Sequence, residues 1–378
     1  MPRRSLHPLA AAALLLLLPL LACRAKSPSP PGSAAPAATR FARIPKIDAH
    51  AHVVAPEALR RALEMTQPWG VVHYVNLSAG PSTESLEAFV TAARLSRGRM
   101  TVCTNLRWKE PHRGPGYGAR MAAALQHARQ LGATGVKVSK GLGLAYVDQD
   151  RRLVPVDDPE LDQVFERAGA LGMPVSIHTG DPKAFWLPVG PANQRWDELR
   201  VHPDWSNYGE PVPSWETLLA QLERRVARHP RTRFIGVHFG NAPEEPARVA
   251  AMLDKYPNYF IDTAARIPEI GRRDPAEMRR FFIKYQDRIL FGTDLGVGLE
   301  PEALMLGSTG ETPPGAADVK RFYDATFRYF ETDDRNFDHP TPIQGNWKIS
   351  GIKLPREVLQ KVYHRNAEKL LGIKEVTW

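Results

Sequence analysis

The feature that most constrains how this chain can fold is an alternation of short apolar, β-rich runs with helical segments. It repeats from residue 44 to residue 371 of a 378-residue sequence. The strand-like runs are 44–52, 70–76, 100–106, 134–138, 173–178, 233–238, 259–262 and 288–294. Between them lie helical patterns at 56–67, 85–97, 120–131, 159–171, 214–228, 244–254 and 275–285, several opened by Pro or by Ser or Asp just before the first apolar position. Near-continuous apolar strands, each followed by a helix, require a parallel sheet with both faces covered. Eight such units predict an α/β fold of the (β/α)8 TIM type, for which this length leaves room for insertions.

Two connections are too long for a bare barrel. Residues 180–213 follow the fifth strand and carry Trp186, Trp196 and Trp205; residues 295–354 follow the eighth and carry Trp347 and a short helical stretch near 319–330. Long insertions after strands 5 and 8 fall at strand C-terminal ends, the catalytic face of such a barrel. A final helix over 355–371, with Val358, Leu359, Val362 and Tyr363 on one side, is expected to close it.

Polar residues interrupt the apolar runs where a barrel enzyme needs them. The first strand reads Ile47-Asp48-Ala49-His50-Ala51-His52, and alternation puts Asp48, His50 and His52 on one face. Two imidazoles so placed can converge on one ion, and Asp48 is positioned to fix a ring from outside. His178, His238 and Asp294 end the fifth, sixth and eighth strands. Three imidazoles and a carboxylate suit one divalent metal, Zn2+ first, with Mn2+ and Fe2+ as alternatives.

The set Asp48-x-His50-x-His52, His178, His238 and Gly292-Thr293-Asp294 resembles the amidohydrolase superfamily, in its amidohydrolase 2 branch. The closing run Arg365-Asn366-Ala367-Glu368-Lys369-Leu370-Leu371-Gly372 is similar to that branch's C-terminal helix. The resemblance implies that His50, His52, His178 and Asp294 bind the metal and that His238 is the acid/base or electrophilic residue beside the substrate. It also implies a second role for Asp294, taking a proton from the activated water. The implied reaction is hydrolysis, a metal-activated water attacking an ester, lactone or amide carbonyl of a small anionic substrate. Non-oxidative decarboxylation of a small hydroxy-carboxylate is the alternative in the same branch. A binding protein on an inactive barrel is a third reading, against which the complete ligand set counts.

Weaker candidates surround this set. Lys137 ends the fourth strand; a free ammonium contacting substrate is preferred over a carboxylated bridge to a second ion, and a plain strand-end charge is the bland reading. Arg266 either clamps a substrate carboxylate or makes a surface salt bridge. Asp262 either orients a neighbouring ligand or satisfies backbone donors. Asn105, with Asn76, Arg107 and Trp108, could line the pocket, and Trp186 could wall it or anchor its loop. His127, His229 and His364 read as structural or exposed.

The N-terminal region reads as an address. Residues 1–22 have a basic start (Arg3, Arg4) and an apolar stretch too short to span a bilayer comfortably, which marks a signal peptide. Leu20-Leu21-Ala22-Cys23 resembles the lipobox of bacterial lipoproteins, implying lipidation at Cys23. The Pro-, Ser- and Ala-rich residues up to 42 form a tether, so the barrel domain is expected over 43–378 in an exported, membrane-anchored lipoprotein. Net charge is +9, or +7 without Arg3 and Arg4, with the basic residues scattered and no basic stripe; nucleic-acid binding is excluded. Expected partners are a small-molecule substrate and a membrane reached only through the lipid, with a homodimer left open. Only two cysteines are present; Cys103 lies in an apolar run and reads as core.

Overall fold

The run around Ile47 becomes β1 (Lys46–Val53). It is the first of eight strands laid side by side in chain order: β2 (Val71–Ala79), β3 (Met100–Asn105), β4 (Gly135–Val138), β5 (Val175–Ile177), β6 (Phe234–Gly236), β7 (Tyr259–Asp262) and β8 (Ile289–Leu290). Each pairs in parallel with the next. The computed structural model describes residues 43–108, 114–180 and 182–376, all within one unit, Ala38–Trp378. Residues 1–22, Cys23 and the tether lie outside the described residues.

The ends of this curled sheet meet through the segment after β8. Phe291 accepts a hydrogen bond from Ala49 N at 2.8 Å, and Asp294 N donates to His50 O at 2.9 Å. The chain then continues as β9 (Leu295–Val297), parallel to β1, and returns as β10 (Leu304–Leu306), antiparallel to β9. This α/β arrangement, a ten-stranded sheet, is consistent with a TIM-type barrel.

Helices cover the outer face, and side-chain oxygens start several of them. Ser82 caps Thr83–Leu95 by accepting from Ser85 N, Ser214 caps Trp215–Arg228, and Asp274 caps Pro275–Lys284. Inside the ring, Ile47, Ala49, Val75, Leu77, Cys103, Ile235 and Leu290 form a cluster that Ala367, Leu370 and Leu371 of the final helical segment plug from one end. Cys103 is a buried free thiol, as its apolar setting predicts.

Two details depart from the sequence reading. The helix expected near 319–330 is Ala316–Glu331, and it is part of the main core. Phe322, Tyr323, Phe327 and Phe330 are buried, and Phe291 and Tyr363 pack edge-on or tilted against Phe327 and Phe330. β1 is also irregular: its register against β2 shifts between Asp48 and Ala51, so strict alternation fails there. Among the described residues, no helix is long and apolar enough to cross a membrane.

The stretch after β5 folds into short helices, Lys183–Trp186, Trp196–Val201 and Pro203–Trp205. Arg195, fully buried, ties it to the rest by bonding Glu198 at 2.6 Å and Glu269 of the segment after β7. At the foot of β1, buried Lys46 donates to Ile44 O at 2.9 Å and lies 4.7 and 4.9 Å from the ring centroids of Phe327 and Tyr363. Burial pulls its pKa down to about 8, with the Glu331 charge opposing.

Candidate metal centre

His50 and His52 rise from the end of β1 and meet Asp294, which follows β8. One donor atom from each lies within 4.8 Å of the others. His50 Nε2 is 3.4 Å and His52 Nε2 3.3 Å from Asp294 Oδ1. Ligands bound at about 2.0–2.1 Å to a tetrahedral ion stand roughly 3.3 Å apart, so residues at these separations could hold one ion. Three protein donors with a further position for water is also the composition of catalytic zinc sites.

Hydrogen bonds fix which ring nitrogens can serve. His50 Nδ1 lies 2.8 Å from Asp262 Oδ2; burial raises the Asp262 carboxyl, with His238 and its backbone N–H opposing, and in its ionised form that carboxylate only accepts, which places the hydrogen on Nδ1 and the lone pair on Nε2. His52 Nδ1 bonds Ser78 Oγ at 2.7 Å, which turns Nε2 toward Asp294. His238 Nδ1 lies 3.0 Å from Ala264 O, again leaving Nε2 as the acceptor.

For His50 and His238, electrostatics agree with a neutral ring. Burial holds His50 well below its usual pKa, helped by the nearby Lys137 charge and opposed by Asp294. Burial, with His178 and Arg266 beside it, does the same to His238. For Asp294, burial works upward, but the hydrogen bond with His52 and the neighbouring imidazoles outweigh it and hold the carboxyl well below the usual range.

The segments that carry these residues are sharply turned. His238 (φ 54°), Phe239 (φ 56°) and Asn241 (φ 61°) follow β6, Ala265 (φ 55°) follows β7, and Asp294 (φ 63°) follows β8. Left-handed backbone costs a non-glycine residue roughly 1–2 kcal/mol and concentrates at functional sites. Gly292 is required by proximity: a Cβ there would lie 2.9 Å from His50 Cβ.

Several expected roles change. Asp48 does not orient a ring. After the register shift its carboxylate accepts from His50 N (3.1 Å), Thr293 N (3.0 Å) and Thr293 Oγ1, so it pins the backbone on either side of the cluster. Burial pushes its carboxyl up to about 7 against those hydrogen bonds. The ring-orienting carboxylate is Asp262, which also accepts from His238 N and Ala264 N; both readings entertained for it hold together.

His178 is not one of the three residues whose donor atoms all lie within 4.8 Å of one another, but it borders them. Its ring packs on His238 at 4.3 Å between centroids, while His238 lies 4.8 Å from His50. Lys137 is buried, with Nζ 3.5 Å from His50 Nε2. Burial lowers its pKa, opposed by Asp294 and Asp262. Arg266 is buried and donates to Ala265 O, so it is not a surface group. Asn105 donates twice to β2, to Leu77 O and Ala79 O, and also lines the cleft beside the cluster. Trp186 donates to Pro213 O at 3.0 Å and packs on the core, anchoring its loop. His229 is buried beside Arg225 and Asp162, and His364 bonds Glu368.

A cleft of about 430 Å³ opens on this cluster, lined among others by His52, Arg107, Trp108, Lys137, Ser139 and Tyr146. Ser139 Oγ and Tyr146 Oη are joined at 2.5 Å. Sequence reasoning missed this pair. Ser139, two residues beyond Lys137, could have been found by alternation; Tyr146 lies in a loop that offers no such signal.

A family model described as amidohydrolase matches residues 47–373. No curated protein matches the chain. Similar solved structures include 2,6-dihydroxybenzoate decarboxylase from Rhizobium, at 15% identity and TM-score 0.49, covering 87% of this chain and 99% of that one. Another is 5-carboxyvanillate decarboxylase from Sphingomonas paucimobilis, at 15% identity and TM-score 0.49, covering 88% and 100%. A third is a Pseudomonas putida protein assigned as 2-pyrone-4,6-dicarboxylic acid hydrolase, at 13% identity and TM-score 0.47, covering 89% and 100%. Likeness at this level speaks to neither substrate nor reaction.

Proposed function

The chain belongs to the amidohydrolase family, and from that premise we propose that it is a metal-dependent hydrolase of an ester, lactone or amide carbonyl in a small anionic substrate. The observation that carries the reading is the donor trio: two Nε2 atoms at 3.4 and 3.3 Å from one carboxylate oxygen, where a tetrahedral ion would need them. His50, His52 and Asp294, with His178 as a further donor, would hold one divalent ion, with Zn2+ favoured by the imidazole and carboxylate donors. When bound, such an ion supplies Lewis acidity, polarising a carbonyl and lowering the pKa of a water to about 7.

The chain's own groups do the rest. His238, with its Nδ1–H held by Ala264 O, presents Nε2 to take a proton from the attacking water and return it to the leaving group. Asp294, on its second oxygen, is the alternative acceptor of that same proton. Lys137 at the inner wall and Arg107 at the rim favour an anion in the cleft, and Trp108 and Tyr146 bound its apolar body. The connections 180–213 and 295–354 are read as insertions around the mouth of a closed barrel. Export through residues 1–22 and lipidation of Cys23 would tether the enzyme to a membrane.

The test is metal analysis of the purified protein followed by a screen of lactones, esters, amides and aromatic carboxylates. Bound metal with turnover in 18O-water that labels the product supports hydrolysis. Release of CO2 without incorporation of water would replace it with decarboxylation of a hydroxy-carboxylate, a reaction the same residues could serve. A preparation that takes up no metal and turns nothing over defeats both.

A further inference from the structure

Asp262 touches two parts of the site that no single residue near it in sequence could join. Its Oδ2 lies 2.8 Å from His50 Nδ1, on the far side of the ring from Asp294. Its Oδ1 accepts from His238 N at 2.8 Å and from Ala264 N at 3.1 Å. The carboxylate is 1% exposed, so no water competes for these donors. Two of the three partners are backbone N–H groups, and the third, His50 Nδ1, donates to the carboxylate wherever the latter is ionised.

We propose that Asp262 is the positioning residue that sets the metal-ligating tautomer of His50 and the left-handed turn at His238 together. On one side, Oδ2 draws the ring hydrogen to Nδ1 and leaves the Nε2 lone pair facing Asp294 and His52. On the other, Oδ1 grips the first residue of a turn in which His238, Phe239 and Asn241 all have positive φ. A charge-assisted bond at its start is what holds such a turn in place. The donor set and the acid/base histidine are thereby built on one carboxylate, and a change at either is felt at the other. The inference rests on the reading of His50 as a ligand; its backbone half stands without it.

Asp262→Asn is the decisive substitution, because an amide keeps the shape and loses one acceptor. With its oxygen toward His50, the NH2 faces two backbone N–H groups; with its oxygen toward the turn, the NH2 faces Nδ1 and drives the hydrogen to Nε2. The probe is Co2+ added to the metal-stripped full-length protein. The readouts are its visible absorption, its affinity, the 15N shifts of His50, and amide exchange over 237–241. The expected result is a 10- to 100-fold loss of Co2+ affinity with an altered spectrum, together with faster exchange in the turn. An unchanged affinity, spectrum and exchange would overturn the proposal. If wild-type protein binds no Co2+, the metal reading fails, while exchange and the His50 tautomer still decide the role of Asp262. If the variant does not fold, the wild-type 15N spectrum decides: a His50 protonated at Nδ1 sustains the proposal, and one protonated at Nε2 refutes it.

Discussion

Replacing Gly292 by Ala should disable the metal site by more than it disturbs the fold. The backbone φ of Gly292 is not in the left-handed region, so only space is at issue. The added carbon would lie 2.9 Å from His50 Cβ, 3.4 Å from His50 N and 3.5 Å from Ala264 Cβ. Carbon atoms pack at about 3.5–4.0 Å, so His50 must retreat by roughly 0.6–1.1 Å. It has little freedom to do so by rotation, since Asp48 holds its backbone N–H and Asp262 its ring. Overpacking of this kind costs about 1–3 kcal/mol in stability. Ligand distances tolerate only about ±0.2 Å, so half of that retreat takes Nε2 out of range.

The assay is thermal unfolding of metal-stripped protein with and without Zn2+. For wild type, zinc at about 100 times its dissociation constant should add roughly 2.7 kcal/mol, seen as a rise of several degrees in Tm. Gly292→Ala should start from a lower Tm and lose most of the zinc-dependent rise. Gly190→Ala is the control, because nothing lies within 4 Å of its added carbon. A Gly292→Ala protein that keeps the full zinc response would show that His50 is not held against Gly292 as a ligand.

Three further outcomes are expected. Asp294→Ala and His178→Ala should lower metal occupancy, whereas His238→Ala should retain it without turnover; full occupancy in all three variants would contradict the assignments. Lys137→Met removes a positive charge 3.5 Å from His50 Nε2 and should tighten Zn2+ binding, whereas weaker binding would mean that Lys137 is itself a ligand. Lys46→Met should stabilise the protein at pH 7 by up to about 3 kcal/mol, from a folded pKa of about 8 against 10.5. Because the folded pKa is the lower one, the cost of charging Lys46 is fully present below pH 8 and gone above 10.5. Urea unfolding of both proteins should therefore show the advantage of Met vanishing across that window, and a pH-independent difference would mean that the rings of Phe327 and Tyr363 carry the charge at no cost.

The strands and helices were legible because burial on both faces writes an unbroken apolar run into each strand, and a covering helix writes its own period next to it. β9 and β10 left no such trace, since three residues are too few to establish a period and the pair is defined by what it docks against. At the site, chain position was readable and convergence was not. A polar side chain that ends an apolar strand is conspicuous, which is why His50, His52, His178, His238 and Asp294 could all be named. Which of them meet depends on the register shift after Asp48 and on the left-handed residues after β6 and β8. Those features break the regularity that made the fold readable, and they turn Asp48 from the rings to the backbone and set His178 against His238. Asp262 makes the same point from the other side. Its neighbours in sequence say nothing of His50, 212 residues away, yet the curled parallel sheet brings the two within 2.8 Å. Chemistry of this kind is specified by departures from the repeat, placed at the one rim where strand ends from every part of the chain come together.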